Sequence, residues 1–143
     1  GNDRAQVKGI YEGLCDIAII NNYYFGKLKY SEDPIQREWA KSMRLTFPNQ
    51  GEGDRGAHIN ISGGGVAKHS KNKESAIKLL EFLSNSKSQK MYSEINFEYP
   101  VNVKVEPSEE LVSWGNFRED KISIEKIAQL SIDAQKIIDR VGW

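Results

Sequence analysis

The sequence predicts an α/β fold in which helices and short strands alternate along 143 residues. Residues 3–14 repeat apolar side chains at intervals of three and four, which is typical of one apolar face of a helix. The run Asp16–Ile20 is short and rich in β-branched residues, as expected of one buried strand. A helical pattern resumes directly after it. Helix, strand and helix in quick succession indicate a layered α/β architecture.

The remaining helices are predicted from their caps and apolar stripes. Asp3 is the expected N-cap of the first helix, and Asn22 is the expected N-cap of a second helix over residues 23–28. A third opens at Pro34, because proline fits the first turn. Residues 89–95 continue helically. The clearest stripes belong to helices over 73–85 and 124–141, where the side chains predicted to be buried are Ala76, Ile77, Leu79, Leu80, Leu83, Ile127, Leu130, Ala134, Ile137 and Ile138.

Strands are predicted over residues 16–20, 44–47, 57–62 and 97–101. Three or four short strands make a small sheet for so many helices. The chain is therefore expected to be part of a larger α/β protein.

Composition narrows the function classes. Twenty basic residues balance twenty acidic ones, which argues against a nucleic-acid partner or a polybasic membrane patch. No stretch approaches the roughly 18 apolar residues of a membrane span. The first residues lack the features of a signal peptide, so either the protein is cytosolic or a targeting segment lies outside this chain. The single cysteine, Cys15, excludes an internal disulfide and is expected to be a small buried residue.

No catalytic motif is apparent. The glycines at 63–65 lack the spacing of a phosphate-binding loop, and a strand-to-helix turn is the favoured interpretation. The polar loop 49–56 is compatible with closure over a ligand or with simple solvation. His58 and His69 stand eleven positions apart on different predicted elements, which disfavours a histidine metal site. The chain is expected not to be an enzyme.

The unusual feature is the pair Tyr23 and Tyr24, within "DIAIINNYYFGKL". Composition alone favours ordinary packing, with one ring in the core and one at the surface. Adjacent side chains diverge on a regular helix or strand, so they converge only at an irregular junction such as a strand end. A helix N-terminus at that junction would offset part of the cost of ionising a phenol. Two phenolates are hard anionic donors and suit ferric iron.

The stretches "GNDRAQVKGIYEGLCDIAIINNYYFGKL" and "NISGGGVAKHSKNKESAIKLLEFLSNSKSQKMYSEINFEYPVN" resemble the bacterial periplasmic ferric-iron-binding proteins of ABC transporters. The likeness runs over essentially the whole chain. It implies part of a type II periplasmic-binding fold, two-lobed, with mixed sheets flanked by helices. Residues 1–143 would be a C-terminal segment that contributes to both lobes and lacks the N-terminal half. A second copy or the missing half would then cover exposed strands, with a dimer as one outcome.

The same resemblance implies the site. Tyr23 and Tyr24 correspond to iron ligands, and Asn21 and Asn2 correspond to residues that bind a synergistic anion such as carbonate, phosphate or citrate. The spacing of Lys27 places a positive charge nearby. The implied cargo is Fe(III), the implied partner is an inner-membrane ABC permease, and the implied location is the periplasm, with the signal peptide outside this chain.

Three alternatives stay open at this stage. The chain could bind a small anion or organic solute, with the tyrosines only stacking. It could be an enzyme fragment that uses the glycine turn and Lys68 on a phosphorylated substrate. It could also be a truncated product without binding activity.

Overall fold

The structure is a computed structural model that describes residues 2–142, so the first and last residues of the predicted segment 1–143 lie outside it. The described part contains seven α-helices and one π-helix. They are α1 (Asp3–Tyr11), α2 (Asn22–Lys29), α3 (Pro34–Lys41), α4 (Lys73–Ser84), α5 (Ser86–Met91), the π-helix (Tyr92–Asn96), α6 (Glu109–Ser113) and α7 (Ile124–Val141).

Side chains cap the starts of α1, α3, α5, α6 and α7, and two of the predicted caps need correction. The side chain of Asn2, not Asp3, caps α1 by accepting the N–H of Ala5 at 3.0 Å. Asn21 precedes α2, and Asn22 is its first helical residue. Both predictions were one residue late, because two neighbouring residues could each have capped.

The predicted mixed sheet is wrong for residues 2–142, in which no strand forms. One isolated parallel bridge joins Ala57 to Glu119. Its backbone bonds run from the N–H of Ala57 to the carbonyl of Arg118 and from the N–H of Asp120 to the carbonyl of Ala57, both at 2.8 Å. A β-branched run becomes a strand only when a neighbouring chain accepts its backbone bonds. The segments 16–20, 44–47 and 97–101 have no such neighbour among the described residues.

The chain divides into two compact units. The first takes in the chain up to Thr46 together with Ser62–Asn116, and the second takes in Phe47–Ile61 and the chain from Phe117 onward. In the first unit, α1, α2 and α3 pack around a core whose buried members are Val7, Leu28 and Ala40. Partly buried side chains that pack against it are Ile20, Phe25, Trp39 and Met43.

The aromatic side of α2 packs on the residue that ends the π-helix. Phe97 adopts a left-handed backbone with φ of 58° and stacks on Tyr30, with 5.4 Å between ring centroids. Gly26 faces the same ring so closely that a Cβ there would lie 2.4 Å from Cγ of Phe97. Only a residue without a side chain lets α2 approach this ring.

Helix α6, which has no counterpart among the predicted elements, carries a polar anchor for α2. The carboxylate of Glu110 accepts from Nζ of Lys29 at 2.7 Å, from the hydroxyl of Tyr30 at 2.6 Å and from Nε1 of Trp114 at 2.9 Å. Burial disfavours its ionisation, yet these three donors outweigh burial and hold the pKa of Glu110 below its usual value. The carboxylate therefore ties the C-terminal end of α2 to α6.

In the second unit, a pair of stacked aromatic rings and hydrogen bonds with the polar loop 49–56 join segments that are far apart in the sequence. Phe47 and Phe117 stack with 4.1 Å between centroids. The guanidinium of Arg118 donates to the carbonyls of Gly51 and Asp54 at 2.8 and 2.9 Å. The polar loop 49–56 is thus fastened to residue 118.

The two strong apolar stripes are placed correctly on helices but their predicted burial is wrong. Neither α4 nor α7 has a fully buried residue. Ile77, Leu79 and Ile137 are 50, 55 and 52% exposed. Helical periodicity depends on the helix alone, whereas burial needs a second surface.

Within residues 2–142, no helix combines the length and apolarity that crossing a bilayer would require.

Candidate metal centre

The structure brings Tyr23 and Tyr24 together at the start of α2. Their ring centroids lie 4.3 Å apart with an angle of 31° between the planes. Both residues belong to the first turn of the helix, not to an irregular junction before it. Long side chains on a helix lean toward its N-terminus, where they are no longer confined by a preceding turn. Two adjacent phenols therefore converge without a break in the helix.

The phenol of Tyr23 is held in its protonated form. A hydrogen bond with the hydroxyl of Tyr24 is the main cause, followed by burial and by the negative charges of Tyr24, Asp3 and Glu98. Together they raise the pKa of Tyr23 to about 12. In the iron-free state the shared hydrogen bond, burial and the nearby negative charges therefore all favour the protonated phenol, and help from the helix N-terminus stays a prediction.

The same surroundings favour a cation. Hydroxyl oxygens that share a hydrogen bond lie about 2.7–2.8 Å apart. In an octahedral shell with metal–oxygen distances of about 2.0–2.1 Å, neighbouring oxygens are about 2.9 Å apart. A small hard ion could therefore replace the shared proton with little movement of the rings. The negative charges of Asp3 and Glu98 oppose phenolate formation alone but attract the ion that would drive it.

Asn21 stands at the start of α2, two residues before Tyr23, and Asn2 stands at the start of α1. The carboxylate oxygen Oδ1 of Asp3 accepts the backbone N–H of Asn21 at 2.7 Å and its side-chain Nδ2 at 3.2 Å. The side chain of Asn21 makes no capping bond within α2. The side-chain oxygen Oδ1 of Asn2 instead accepts a hydrogen bond that caps α1. Asp3 links the two helix starts, a role that sequence reasoning missed because Asp3 was assigned as the cap.

Lys27 lies near the pair, as its spacing predicts. Its Nζ sits 4.9 Å from the centroid of the Tyr23 ring, within the range of a cation–π contact. Glu98, in contrast, carried no sequence signal. It comes from the segment after the π-helix, and only folding brings its charge to bear on Tyr23.

The other candidate residues do not join this site. His69 is exposed and belongs to the first unit, whereas His58 belongs to the second. Gly64 has ordinary backbone angles and faces Leu80, at 3.0 Å from an added Cβ. Cys15 is a free, half-buried thiol. Among the residues that the structure describes, no three histidine, cysteine or carboxylate side chains are grouped so as to hold a metal ion.

Comparison with solved structures identifies the class of fold. The ferric binding protein from Campylobacter jejuni matches with a TM-score of 0.92 at 41% identity, over 99% of this chain and 44% of that one. The Trichodesmium protein IdiA (FutA), solved in complex with iron and citrate ligands, matches with a TM-score of 0.89 at 45% identity, over 100% of this chain and 45% of that one. The chain therefore has part of the fold of the ferric-binding proteins.

The curated relatives agree. Iron uptake protein A2 of Synechocystis is 38% identical over all 143 residues, which cover 41% of that protein. No protein-family model matches. The homologues of this chain are iron uptake protein A and the ferric iron-binding proteins, which confirms the resemblance read from the sequence. The chain spans less than half the length of these relatives. Their names describe iron uptake and ferric binding, in agreement with the prediction that the chain is not an enzyme.

Proposed function

We propose that this chain binds ferric iron through the phenolate oxygens of Tyr23 and Tyr24. The observation that carries the proposal is the convergence of the two phenols, whose ring centroids lie 4.3 Å apart and whose hydroxyls share a hydrogen bond. Hydroxyls that share such a bond are about as far apart as neighbouring ligands in an octahedral shell. Each phenol loses its proton when the ion binds. Trivalent iron supplies the electrostatic attraction that makes this loss favourable at neutral pH.

The charges around the pair favour this cargo over the anion alternative. Asp3 and Glu98 act on Tyr23 with negative charge, and Asp3 already occupies donors of Asn21. A free anion at the tyrosines would be repelled by both carboxylates. The citrate in the Trichodesmium complex was found together with iron, so it does not favour an anion-only function.

The homologues support a proposal for the wider role. We infer that the protein works in the periplasm and delivers iron to an inner-membrane ABC importer, and that residues 1–143 contribute to both lobes of a type II periplasmic-binding fold. A role in iron uptake is supported by the names of the relatives. A segment that is shared between two lobes is supported by the division of the chain into two compact units. Further ligands would come from the part of the relatives that this chain does not match.

The test is a titration with ferric citrate, followed by visible absorption. Phenolate bound to ferric iron gives an intense charge-transfer band, so colour reports both metal and ligand. The proteins are the longest natural form of the chain, the 143-residue chain, and Tyr23→Phe/Tyr24→Phe variants of both. A matched control removes two other phenols, with Tyr11→Phe and Tyr92→Phe.

We expect colour in the parent and in the control, and at least about a hundredfold weaker iron binding with no band in the Tyr23/Tyr24 variant. Colour confined to the longest form would mean that the remaining ligands lie outside the 143 residues. Equal iron affinity in parent and Tyr23/Tyr24 variant would refute the assignment.

A further inference from the structure

The carboxylate of Asp3 is bonded to Asn21, the residue for which the resemblance to ferric-binding proteins implies contact with an anion. Asp3 is the first residue of α1, fixed there by the cap that Asn2 provides. Its Oδ1 reaches across 18 residues of sequence to both N–H donors of Asn21, at 2.7 and 3.2 Å, in a partly buried setting. A backbone N–H and a side-chain amide at a helix start are the donors that an exogenous anion would use.

We propose that Asp3 is a built-in counter-anion at Asn21, and that it takes the place of a free anion when this chain holds iron. The inference rests on the proposed function, since it concerns the same centre. Asp3 is a positioning and charge-balancing residue, not an iron ligand.

Charge balance supports the assignment. Two phenolates and the carboxylate of Asp3 carry three negative charges, which match the three positive charges of ferric iron, while the opposite charges of Glu98 and Lys27 cancel each other. Asp3 is also close to the pair in the fold, because its Oδ1 is bonded to Asn21, two residues before Tyr23. Burial of the bonds to Asn21 limits exchange with solvent anions, since an exogenous anion would have to displace a charge-assisted hydrogen bond.

The first test needs no iron. Inorganic phosphate is titrated into the protein, and the backbone amide signal of Asn21 is followed by NMR. The variant Asp3→Asn keeps nearly the same shape and an acceptor oxygen but loses the charge. We expect its apparent affinity for phosphate to be at least about tenfold stronger than that of the parent. The exposed control Asp133→Asn should behave like the parent.

The second test measures ferric affinity from the charge-transfer band at increasing phosphate. The parent should show no phosphate dependence, whereas Asp3→Asn should bind iron at least about tenfold more weakly without phosphate and recover as phosphate is added. The proposal is overturned if phosphate affects both proteins alike or if Asp3→Asn matches the parent without it. Absence of colour in every protein would refute the iron function instead, while the phosphate titration would still decide the role of Asp3.

Discussion

Removal of one phenol should change the acidity of the other. The hydrogen bond with Tyr24 is the largest cause that holds the pKa of Tyr23 near 12, and the charge of Tyr24 is a further cause. Tyr24→Phe removes both and leaves burial, Asp3 and Glu98. We therefore expect the pKa of Tyr23 to fall by at least about one unit toward the ordinary phenol value of about 10.

The assay is a pH titration by NMR with 13Cζ-labelled tyrosine, in the absence of iron. Far-UV circular dichroism at each pH shows whether the chain stays folded. Tyr11→Phe is the matched control and should leave the Tyr23 titration where it is. If the pKa of Tyr23 in Tyr24→Phe stays near 12, the two hydroxyls do not share a hydrogen bond. The inference that their oxygens are spaced like neighbouring metal ligands would then be refuted.

Three further results are expected. Ferric affinity should fall about a hundredfold for each pH unit of acidification below about pH 9, because two phenol protons must leave; a competition titration that gives a slope near zero would contradict this. Glu110→Gln should lower the free energy of unfolding at pH 7 by about 1–2 kcal/mol, measured by urea unfolding. Since the pKa of Glu110 is lowered on folding, its contribution is present above the usual value of 4.5 and is lost as pH falls, so parent and variant should converge in acid. Gly26→Ala should cost about 1–3 kcal/mol because its Cβ meets Phe97. Gly9→Ala, whose Cβ would make only an ordinary contact with Sγ of Cys15 at 3.4 Å, should stabilise α1 by about 0.5–1 kcal/mol. Equal effects would show that the contact with Phe97 is not tight.

The helices were predictable because their signals are local. Helix α7 begins after Ser123 and ends at Val141, as its apolar stripe predicts. Helix α4 differs from its predicted range by one residue. In contrast, β-branched runs such as 16–20 became extended segments without a ladder, because pairing depends on distant chain. The short helix α6 was not predicted, because it depends on tertiary contacts, such as the bonds between Ser93 and Ser108, that no local pattern records.

The candidate centre shows the same division. The adjacency of Tyr23 and Tyr24 is visible in the sequence, and so is Asn21. The bond from Asn21 to Asp3 spans 18 residues, and the influence of Glu98 on Tyr23 spans 75, so neither could be read from spacing. Assigning Asp3 as a helix cap concealed its contact, since an acidic residue near a helix start has an ordinary explanation.

The contact between Gly26 and Phe97 also limits the order in which this protein can change over generations. A side chain gained at position 26 is harmful while the ring at 97 remains, whereas a smaller residue at 97 leaves position 26 free to vary. Lineages that carry a larger residue at 26 are therefore expected to have lost the aromatic ring at 97 first. Which residues helix α2 accepts at position 26 thus depends on a residue 71 positions away in the sequence.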